Sequence, residues 1–411
     1  MRAIAGGKLT TEALIRSCLE RIAERDEAVG AWAYLGADAA LAAAVEGPGG
    51  QLHGVPFGIK DLIDTVDMPT CYGSPIYNGY RPGWDATCVT SIRNAGGIIL
   101  GKTVTTEFAY FQPGKTTNPH DVGRTPGGSS SGSAAAVADF QVPAALGTQT
   151  AGSVIRPASY CGVVGYKPSY GLLPLAGVRP LAPSMDHVGF FARSVQDAGF
   201  LASILGRRPS LVVAEDDDGW TPRIGYCRTH EWDSAEPGTQ ALLDDAVKAL
   251  GAAGATVIEV DLPASFGGLA DAQALVMDYE VSFSGLFEVS KHREQVSAKF
   301  LERFDAGLAV TAQGYDAALE QVRVARAIFD GVMDTCDVLL CPSAPGEAPQ
   351  GIGATGNPIF NRVWNFLGGP CINVPGLVGA AGMPVGVQIV GRPGDDPRAL
   401  KVAAWVYAQL D

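Results

Sequence analysis

The fold class is set by Val55-Pro56-Phe57-Gly58-Ile59, a short apolar run that ends at Lys60. A second run of the same kind, Gly97-Ile98-Ile99-Leu100, follows a helical stretch at residues 86–95. Short apolar runs of this length predict buried strands. Because strands and helices alternate along the chain, the sequence predicts a layered α/β fold.

The segments on either side extend this pattern. An amphipathic helix is predicted over residues 10–27, with Thr11 as its N-cap, and an Ala-rich helix over residues 37–44. A long polar segment at 113–132 leads into a short helix predicted over 133–140. A loop of that length inside a regular region is typically functional or disordered.

A second α/β stretch is predicted after residue 210. Its strands are expected at 223–227, 256–260, 338–341 and 385–390, and its helices at 238–253, within 266–334 and at 403–410. We expect a single domain over residues 1–411, with N-terminal helices in 1–50, a core in 54–190, a more variable region in 210–345 and C-terminal core strands and a helix in 346–411. A division into two domains near residue 210 is the alternative.

The composition excludes several classes of protein. Of the 411 residues, 47% are hydrophobic, the fraction of a packed globular chain. The net charge is −13, from 30 basic and 43 acidic residues, so binding to nucleic acid or anionic lipid is not expected. The sequence shows no signal peptide and no apolar run of 18 residues, and we expect a soluble cytoplasmic protein without a membrane anchor.

The cysteines and histidines argue against a metal centre. The eight cysteines are scattered without a Cys-x-x-Cys pair, and the sequence has five histidines without a His-Glu-x-x-His motif. We therefore expect buried free thiols and no zinc or other metal site.

Two short motifs indicate other chemistry, but their surroundings do not support them. Residues 96–103 match the phosphate-loop pattern G-x-x-x-x-G-K-[ST], yet their centre is a predicted strand rather than a flexible loop. Residues 128–132 match G-x-S-x-G with Ser130 central, but a polar segment precedes them where an apolar strand is required. Asp186 and His187 are adjacent, so they would point apart instead of completing a Ser-His-Asp triad.

A wider constellation of residues points to acyl transfer. Lys60 ends a predicted strand, a serine cluster follows between Ser129 and Ser133, and Ser153 closes the small-residue turn 147–153. A serine is a weak nucleophile until a base takes its proton, and a buried lysine can be that base because desolvation favours the neutral amine. Small residues at 150–152 allow backbone amides to converge on a carbonyl oxygen as an oxyanion hole.

With these residues the sequence resembles the amidase signature family. The matching block begins at Gly54-Val55-Pro56 and ends at Gly171, and later elements such as Asn361 and Gly386 also fit. Within it lie Lys60-Asp61, Gly101-Lys102-Thr103, Gly127-Gly128-Ser129-Ser130-Ser131-Gly132-Ser133, residues 147–153 and Arg156-Pro157. So long an ordered set is much more specific than either short motif.

The resemblance implies a single α/β/α domain around a large mixed sheet, with a Ser–cis-Ser–Lys triad. Ser153 falls at the nucleophile, Ser129 at the serine that follows a cis peptide bond, and Lys60 at the general base. The oxyanion hole falls at the amides of Thr150, Ala151, Gly152 and Ser153.

The resemblance also implies supporting residues around this triad. Gly128, Ser130 and Ser131 are the supporting positions, although Ser130 and Ser131 could equally cap the following helix. Asp186 is expected to be a structural carboxylate. Arg156, three residues after Ser153, matches malonamidase-type members in which an arginine can reach a substrate carboxylate, and a structural ion pair is the alternative.

The implied function is that of a serine amidohydrolase that cleaves the C–N bond of a small amide or carbamate without a metal or organic cofactor. The alternatives are a glutaminase subunit of a tRNA-dependent amidotransferase, urethanase or aryl acylamidase specificity, and a non-catalytic binding protein on the same fold. We expect a small-molecule substrate, no nucleic-acid or membrane partner, and a homodimer. The acyl pocket is expected to draw its walls from residues 262–345, and the candidate lining residues are Met277, Tyr279, Phe287, Trp364 and Phe366.

Overall fold

The computed structural model describes residues 2–214 and 219–410, and its strands and helices are numbered along that part of the chain. The strands are β1 (Trp32–Leu35), β2 (Pro56–Lys60), β3 (Ile98–Thr103), β4 (Ala144–Gln149), β5 (Val164–Lys167), β6 (His187–Ala192), β7 (Arg223–Tyr226), β8 (Thr256–Glu259), β9 (Val338–Pro342), β10 (Cys371–Val378) and β11 (Pro384–Val390). The helices are α1 (Arg2–Ala5), α2 (Thr11–Val29), α3 (Ala37–Glu46), α4 (Thr87–Asn94), α5 (Ser131–Ala138), α6 (Ile155–Cys161), α7 (Val195–Leu205), α8 (Pro237–Ala252), α9 (Leu269–Ser284), α10 (Leu286–His292), α11 (Ala298–Ala309), α12 (Ala312–Val332), α13 (Ile359–Leu367) and α14 (Asp396–Leu410).

The strands form one mixed sheet in the order β1-β3-β2-β4-β6-β5-β10-β11-β9-β7-β8. Alternate residues of a strand point to opposite faces, and in β4 Leu146 belongs to one hydrophobic cluster while Ala145 belongs to another. Residues of α4, α7, α8 and α14 join the first cluster, and residues of α2, α3, α5 and α6 join the second. A third cluster packs α9, α11, α12 and α13 against Leu339 and Cys371. The predicted α/β/α fold around a large mixed sheet is confirmed.

Several predicted helices differ from the structure at their ends, and α14, predicted from residue 403, begins at Asp396. The N-cap of α2 is Thr10, whose hydroxyl accepts a hydrogen bond from the Ala13 amide at 3.1 Å, and the prediction of Thr11 was wrong. The Thr11 hydroxyl instead donates to the His53 carbonyl at 3.1 Å. The helix predicted over 133–140 runs from Ser131 to Ala138, because Phe140 adopts a left-handed φ of 61° and cannot continue it.

The carboxyl ends of two parallel strands carry the candidate residues. β2 pairs in parallel with β4, and Ile59 lies beside Leu146. Since Lys60 ends β2 and Gln149 ends β4, both strands finish at the same edge of the sheet. Residues 150–153 leave β4 at this edge, which is where α/β sheets commonly bind ligands. Within the described ranges, no helix is long and apolar enough to cross a membrane.

Candidate active site

Lys60 is fully buried and reaches two hydroxyl groups. Its Nζ lies 2.6 Å from Ser129 Oγ and donates to Thr148 Oγ1 at 2.7 Å. Burial lowers the pKa of Lys60 well below its ordinary value of 10.5, and the Asp186 carboxylate opposes this shift. A lysine in such a setting can lose its proton and then accept one from a neighbouring hydroxyl.

Ser129 connects Lys60 with an open cavity, which its side chain lines. The peptide bond between Gly128 and Ser129 is cis. The Ser129 carbonyl accepts hydrogen bonds from the Thr106 amide at 3.2 Å and from Ser131 Oγ at 3.3 Å. Ser131 therefore holds the backbone of Ser129, and its hydroxyl does not cap α5.

Ser130 and Gly128 make the close contacts between the serine segment and the residues packed around it. Ser130 Oγ donates to the Thr148 carbonyl at 3.2 Å, and although Ser130 stands at the N-cap of α5 it makes no capping hydrogen bond there. A Cβ added to Gly147 would lie 2.8 Å from Ser130 Oγ, so the glycine permits this close approach. A Cβ on Gly128 would lie 2.8 Å from Thr355 Cγ2.

Ser153 lines the same cavity as Ser129. In the described chain Ser153 Oγ makes no hydrogen bond, and none joins it to Ser129 Oγ. Among residues 2–214 and 219–410, the amides of Ala151, Gly152 and Ser153 likewise find no acceptor. A free hydroxyl beside free amides is the arrangement needed for attack on a carbonyl and for binding the oxyanion that results.

Asp186 lies buried beneath the turn that carries Thr150. Its carboxylate accepts hydrogen bonds from the Thr150 hydroxyl and from the amides of Leu181, at 2.8 Å, and Ala182, at 3.1 Å. Burial raises the pKa of Asp186 to about 7, and these hydrogen bonds oppose the rise. Asp186 therefore positions Thr150 and also influences the charge state of Lys60.

Replacing Asp186 by Asn is expected to move the acid limb of the pH–activity profile to lower pH. Where Asp186 is ionised, above its own pKa of about 7, its charge favours protonated Lys60, so removing that charge lowers the Lys60 pKa further and keeps the amine neutral in more acidic solution. Values of kcat/KM for both proteins from about pH 4 to 9 would show the movement. An acid limb that does not move would mean that the Asp186 charge does not affect the pKa of Lys60.

Arg156 is a buried cation with unused hydrogen-bond donors. One nitrogen, Nη2, donates to the Gly128 carbonyl at 2.6 Å and to Thr355 Oγ1 at 3.2 Å. Its Nε and Nη1 are buried without a partner in the part of the chain that the structure describes, and no carboxylate pairs with it there. Burial lowers the pKa of Arg156 to about 10, so the guanidinium stays charged at neutral pH. The structural ion pair left open by the sequence is thus not found among these residues.

The cavity in front of Ser153 is narrow and opens to solvent. Its lining residues are Ala109, Tyr110, Phe111, Ser129, Thr150, Ala151, Gly152, Ser153, Arg156, Leu181, Met277, Thr355 and Pro358. Met277 is therefore the one member of the predicted lining set that reaches it. Most of the wall comes from segments outside 262–345, because the short turn after Glu107 and the segment before α13 fold over the opening.

The other four predicted lining residues lie elsewhere. Trp364 borders a different cleft, Phe366 is buried in the third hydrophobic cluster, and Tyr279 stacks on Tyr315 with ring centroids 4.3 Å apart. Phe287 is largely exposed to solvent. Helical spacing indicates which side chains share a face, but it does not indicate which face borders the catalytic edge.

Neither short motif has the role that its pattern suggests. Residues 98–103 form β3, and Lys102 is buried, where it donates to the Ile63 carbonyl and to Thr70 Oγ1 at 2.7 Å. His187 Nδ1 lies 2.7 Å from the Met185 carbonyl and contacts no serine in the described chain. The eight cysteines are free thiols, and within the described residues no group of three His, Cys, Asp or Glu is placed to hold a metal.

Comparison with models of protein families shows which family the chain belongs to. A model of the Amidase family matches residues 13–400. The chain belongs to the amidase family. The resemblance that the sequence motifs indicated is therefore confirmed over nearly the whole chain.

Relatives and solved structures of the amidase family match over almost their full lengths. A glutamyl-tRNA(Gln) amidotransferase subunit from Anaeromyxobacter sp. (strain K) is 35% identical over 466 residues, covering 99% of this chain and 94% of that protein. A solved amidase structure superposes with a TM-score of 0.91 at 31% identity, covering 100% and 98% of the two chains. The peptide amidase of Stenotrophomonas maltophilia gives a TM-score of 0.83 at 28% identity, with 100% and 95% covered.

Several residues of this amidase-family site were not found from the sequence. Thr148 contacts Lys60, while Gln273 and Asn365 donate to the Thr150 carbonyl at 3.1 and 2.6 Å. The register of β2 against β4 would have pointed to Thr148, since it lies two residues beyond Leu146, the neighbour of Ile59. No local sequence signal identifies Gln273 or Asn365, because each lies more than 100 residues from the loop it supports.

Proposed function

We propose that the protein is a serine amidohydrolase that cleaves the C–N bond of a small amide or carbamate through an acyl-enzyme on Ser153. Neutral Lys60 accepts a proton from Ser129 as Ser129 accepts one from Ser153, and Ser153 Oγ forms a bond to the carbonyl carbon. The negative oxygen is held by the amides around Ala151, Gly152 and Ser153. The proton passes to the leaving nitrogen as the C–N bond breaks, and a water molecule then hydrolyses the ester.

The observation that carries this proposal is the pairing of Lys60 with Ser129 beside an unpaired Ser153. The amine is buried and its pKa is lowered. In the neutral amine the two N–H groups can be donated to Thr148 Oγ1 at 2.7 Å and to the Thr148 carbonyl at 3.5 Å, which leaves the lone pair for the Ser129 hydroxyl at 2.6 Å. Ser129 and Ser153 line one cavity, which brings the second proton transfer within reach when substrate closes the site.

The unpaired charge of Arg156 supports the proposal that the substrate carries an anionic group. It is the one charged residue among those of the described chain that line the cavity, and two of its nitrogens have no partner. A buried cation without a counter-charge is costly, and a carboxylate that forms two parallel hydrogen bonds to a guanidinium offsets this cost. The narrow cavity favours a short acid amide such as malonamate over a bulkier substrate.

The second candidate function is that of a glutaminase subunit, because a relative at 35% identity carries the name of a glutamyl-tRNA(Gln) amidotransferase. Glutamine carries an ammonium group as well as a carboxylate. None of the lining residues in the described chain is acidic, so that ammonium would lack a counter-charge. The lining therefore favours an acid amide over glutamine. Anilides differ in the leaving amine and carbamates carry an oxygen substituent on the carbonyl, and both remain within the first proposal.

The test is release of amine or ammonia from a panel of amides by the purified protein. The panel contains malonamate, butyramide, an anilide, an aryl carbamate and glutamine, and each assay is repeated with the Ser153→Ala variant. We expect malonamate to be turned over best and the variant to be inactive. Glutamine as the sole substrate, with a second chain co-purifying from the native source, would replace this proposal by the glutaminase function.

Replacing Arg156 by Met is expected to lower the preference for malonamate over butyramide by about 10- to 100-fold, the effect of losing charged hydrogen bonds. The ratio of the two kcat/KM values is the informative quantity, since Arg156 also holds the Gly128 carbonyl and its loss can slow every substrate. Arg156→Lys is the control that keeps the charge and should retain part of the preference. An unchanged ratio would show that Arg156 supports only the Gly128–Ser129 segment.

A further inference from the structure

Two side-chain amides, those of Asn365 and Gln273, converge on one backbone carbonyl next to the oxyanion hole. Asn365 Nδ2 donates to the Thr150 carbonyl at 2.6 Å and Gln273 Nε2 donates to the same oxygen at 3.1 Å. Both side chains are fully buried or nearly so. Neither Asn365 nor Gln273 takes part in the proposed proton transfers, so the reason why both bind the Thr150 carbonyl has to be sought elsewhere.

The geometry of the peptide bond supplies that explanation. The Thr150–Ala151 peptide is trans, since the one cis bond of the described chain is Gly128–Ser129. In a trans peptide the N–H points away from the C=O. Because the Thr150 oxygen points toward α9 and α13, the Ala151 N–H points the opposite way, and Ala151 lines the cavity with its amide unpaired.

The two donors are themselves held in place. Gln273 Oε1 accepts a hydrogen bond from Arg362 Nη1 at 2.9 Å, and Asn365 Nδ2 also donates to the Met185 carbonyl at 2.9 Å. A chain of hydrogen bonds thus runs from the half-buried guanidinium of Arg362 through Gln273 to the Thr150 carbonyl. Donors on a carbonyl oxygen draw electron density from the amide nitrogen and make its N–H a stronger donor.

Helix α13 also packs directly against the loop at Gly152, which limits the movement of that loop. A Cβ added to Gly152 would lie 2.3 Å from Asn361 Oδ1 and 2.9 Å from Pro358 Cβ. The beginning of α13 is therefore in direct contact with the peptide that follows Ala151.

From these contacts we infer that Asn365 and Gln273 are positioning residues, which fix and polarise the Thr150–Ala151 peptide so that the Ala151 N–H binds the oxyanion. This inference rests on the proposed function. It adds that the oxyanion hole depends on side chains from α9 and α13, more than 100 residues along the chain. A polarised Ala151 N–H stabilises the negative charge that develops on the carbonyl oxygen of the substrate. It therefore changes the rate of reaction at Ser153 more than it changes the binding of the uncharged substrate.

The experiment measures how fast a fluorophosphonate labels the protein, because phosphonylation of Ser153 also develops charge on an oxygen in the oxyanion hole. The variants are Asn365→Ala and Gln273→Met. The control is Asn373→Ala, since Asn373 is also fully buried and donates to a backbone carbonyl, that of Val163 at 2.8 Å, away from the cavity. Melting temperatures are recorded for all proteins.

We expect labelling to slow by about 10- to 100-fold in Asn365→Ala and about 3- to 10-fold in Gln273→Met, the larger effect belonging to the shorter hydrogen bond. The pH midpoint of labelling should stay at the wild-type value, because the base is untouched. With the best amide of the panel, kcat should fall while KM changes by less than about 3-fold. Asn373→Ala should lose thermal stability and keep the wild-type labelling rate.

The outcomes separate this inference from the proposed function. Wild-type protein that takes up no label at Ser153 would overturn the proposed function. Labelling at Ser153 with equal rates in wild type, Asn365→Ala and Gln273→Met would overturn the positioning role alone. If Asn365→Ala does not fold, the rate and the pH midpoint of Gln273→Met decide the question.

Discussion

Ser153→Ala is expected to lower kcat/KM by about 10⁴-fold or more while the protein stays folded. The nucleophile is removed, and what remains is the modest contribution of the oxyanion hole and of substrate binding. The fold should tolerate the change, because Ser153 Oγ makes no hydrogen bond within the described chain. Initial rates on the best amide, together with a thermal melt, would measure both effects.

A matched serine controls for the loss of a buried hydroxyl. Ser203 in α7 is 8% exposed, as against 9% for Ser153, and its hydroxyl donates to the Phe200 carbonyl at 2.7 Å. Ser203→Ala should keep its activity within about 2-fold, since it lines no part of the cavity. Equal activity in wild type and Ser153→Ala would place the nucleophile elsewhere.

Lys60→Met is expected to lower kcat/KM by about 10²- to 10⁴-fold near neutral pH, the range assigned to a general base. Methionine has a similar shape and cannot accept a proton, so the Ser129–Ser153 pair loses its base. Lys167→Met is the control: Lys167 is an equally buried lysine that donates to the Pro168 carbonyl at 2.9 Å, away from the cavity. Steady-state kinetics should show a small change in the control and a large one at Lys60.

The stability of wild type relative to Lys60→Met is expected to rise with pH. In the unfolded chain Lys60 has its ordinary pKa of 10.5, and in the folded protein the pKa is well below that value. Between the two values the unfolded state binds the extra proton, so the unfolding free energy of wild type gains up to about 1.4 kcal/mol per pH unit and levels off above the unfolded pKa. Urea unfolding at several pH values would measure this. A pH-independent difference would mean that Lys60 is charged in the folded protein.

The sequence predicted β2, β3, β7, β8, β9 and β11 and did not predict β1, β4, β5, β6 or β10. β2, β3 and β9 each contain a run of large apolar residues, whereas β4 is Ala-Ala-Leu-Gly-Thr-Gln. β4 was not predicted because its stability comes from its neighbours: it pairs with β2 on one side and β6 on the other. Tertiary pairing thus overrides a weak local strand propensity.

The candidate site was also predicted only in part. Lys60, Ser129 and Ser153 stand in motifs that can be recognised in the chain. In the structure Ser129 and Ser153 line one cavity, and Lys60 lies within hydrogen-bond distance of Ser129. The walls of that cavity were not predictable, because Phe111 and Thr355 approach Arg156 from segments about 240 residues apart. Contacts of this kind depend on how the layers stack, which periodicity along one helix does not encode.

The most direct test of the proposed mechanism is the site at which a fluorophosphonate attaches to the protein. The intact mass should rise by one adduct per chain, and peptide mapping should place that adduct on Ser153. The adduct should be absent from Ser153→Ala and should form much more slowly in Lys60→Met, because the same base activates the hydroxyl in labelling and in catalysis. An adduct on Ser129 or Ser130, or labelling that survives in Ser153→Ala, would contradict the assignment of Ser153 as the nucleophile.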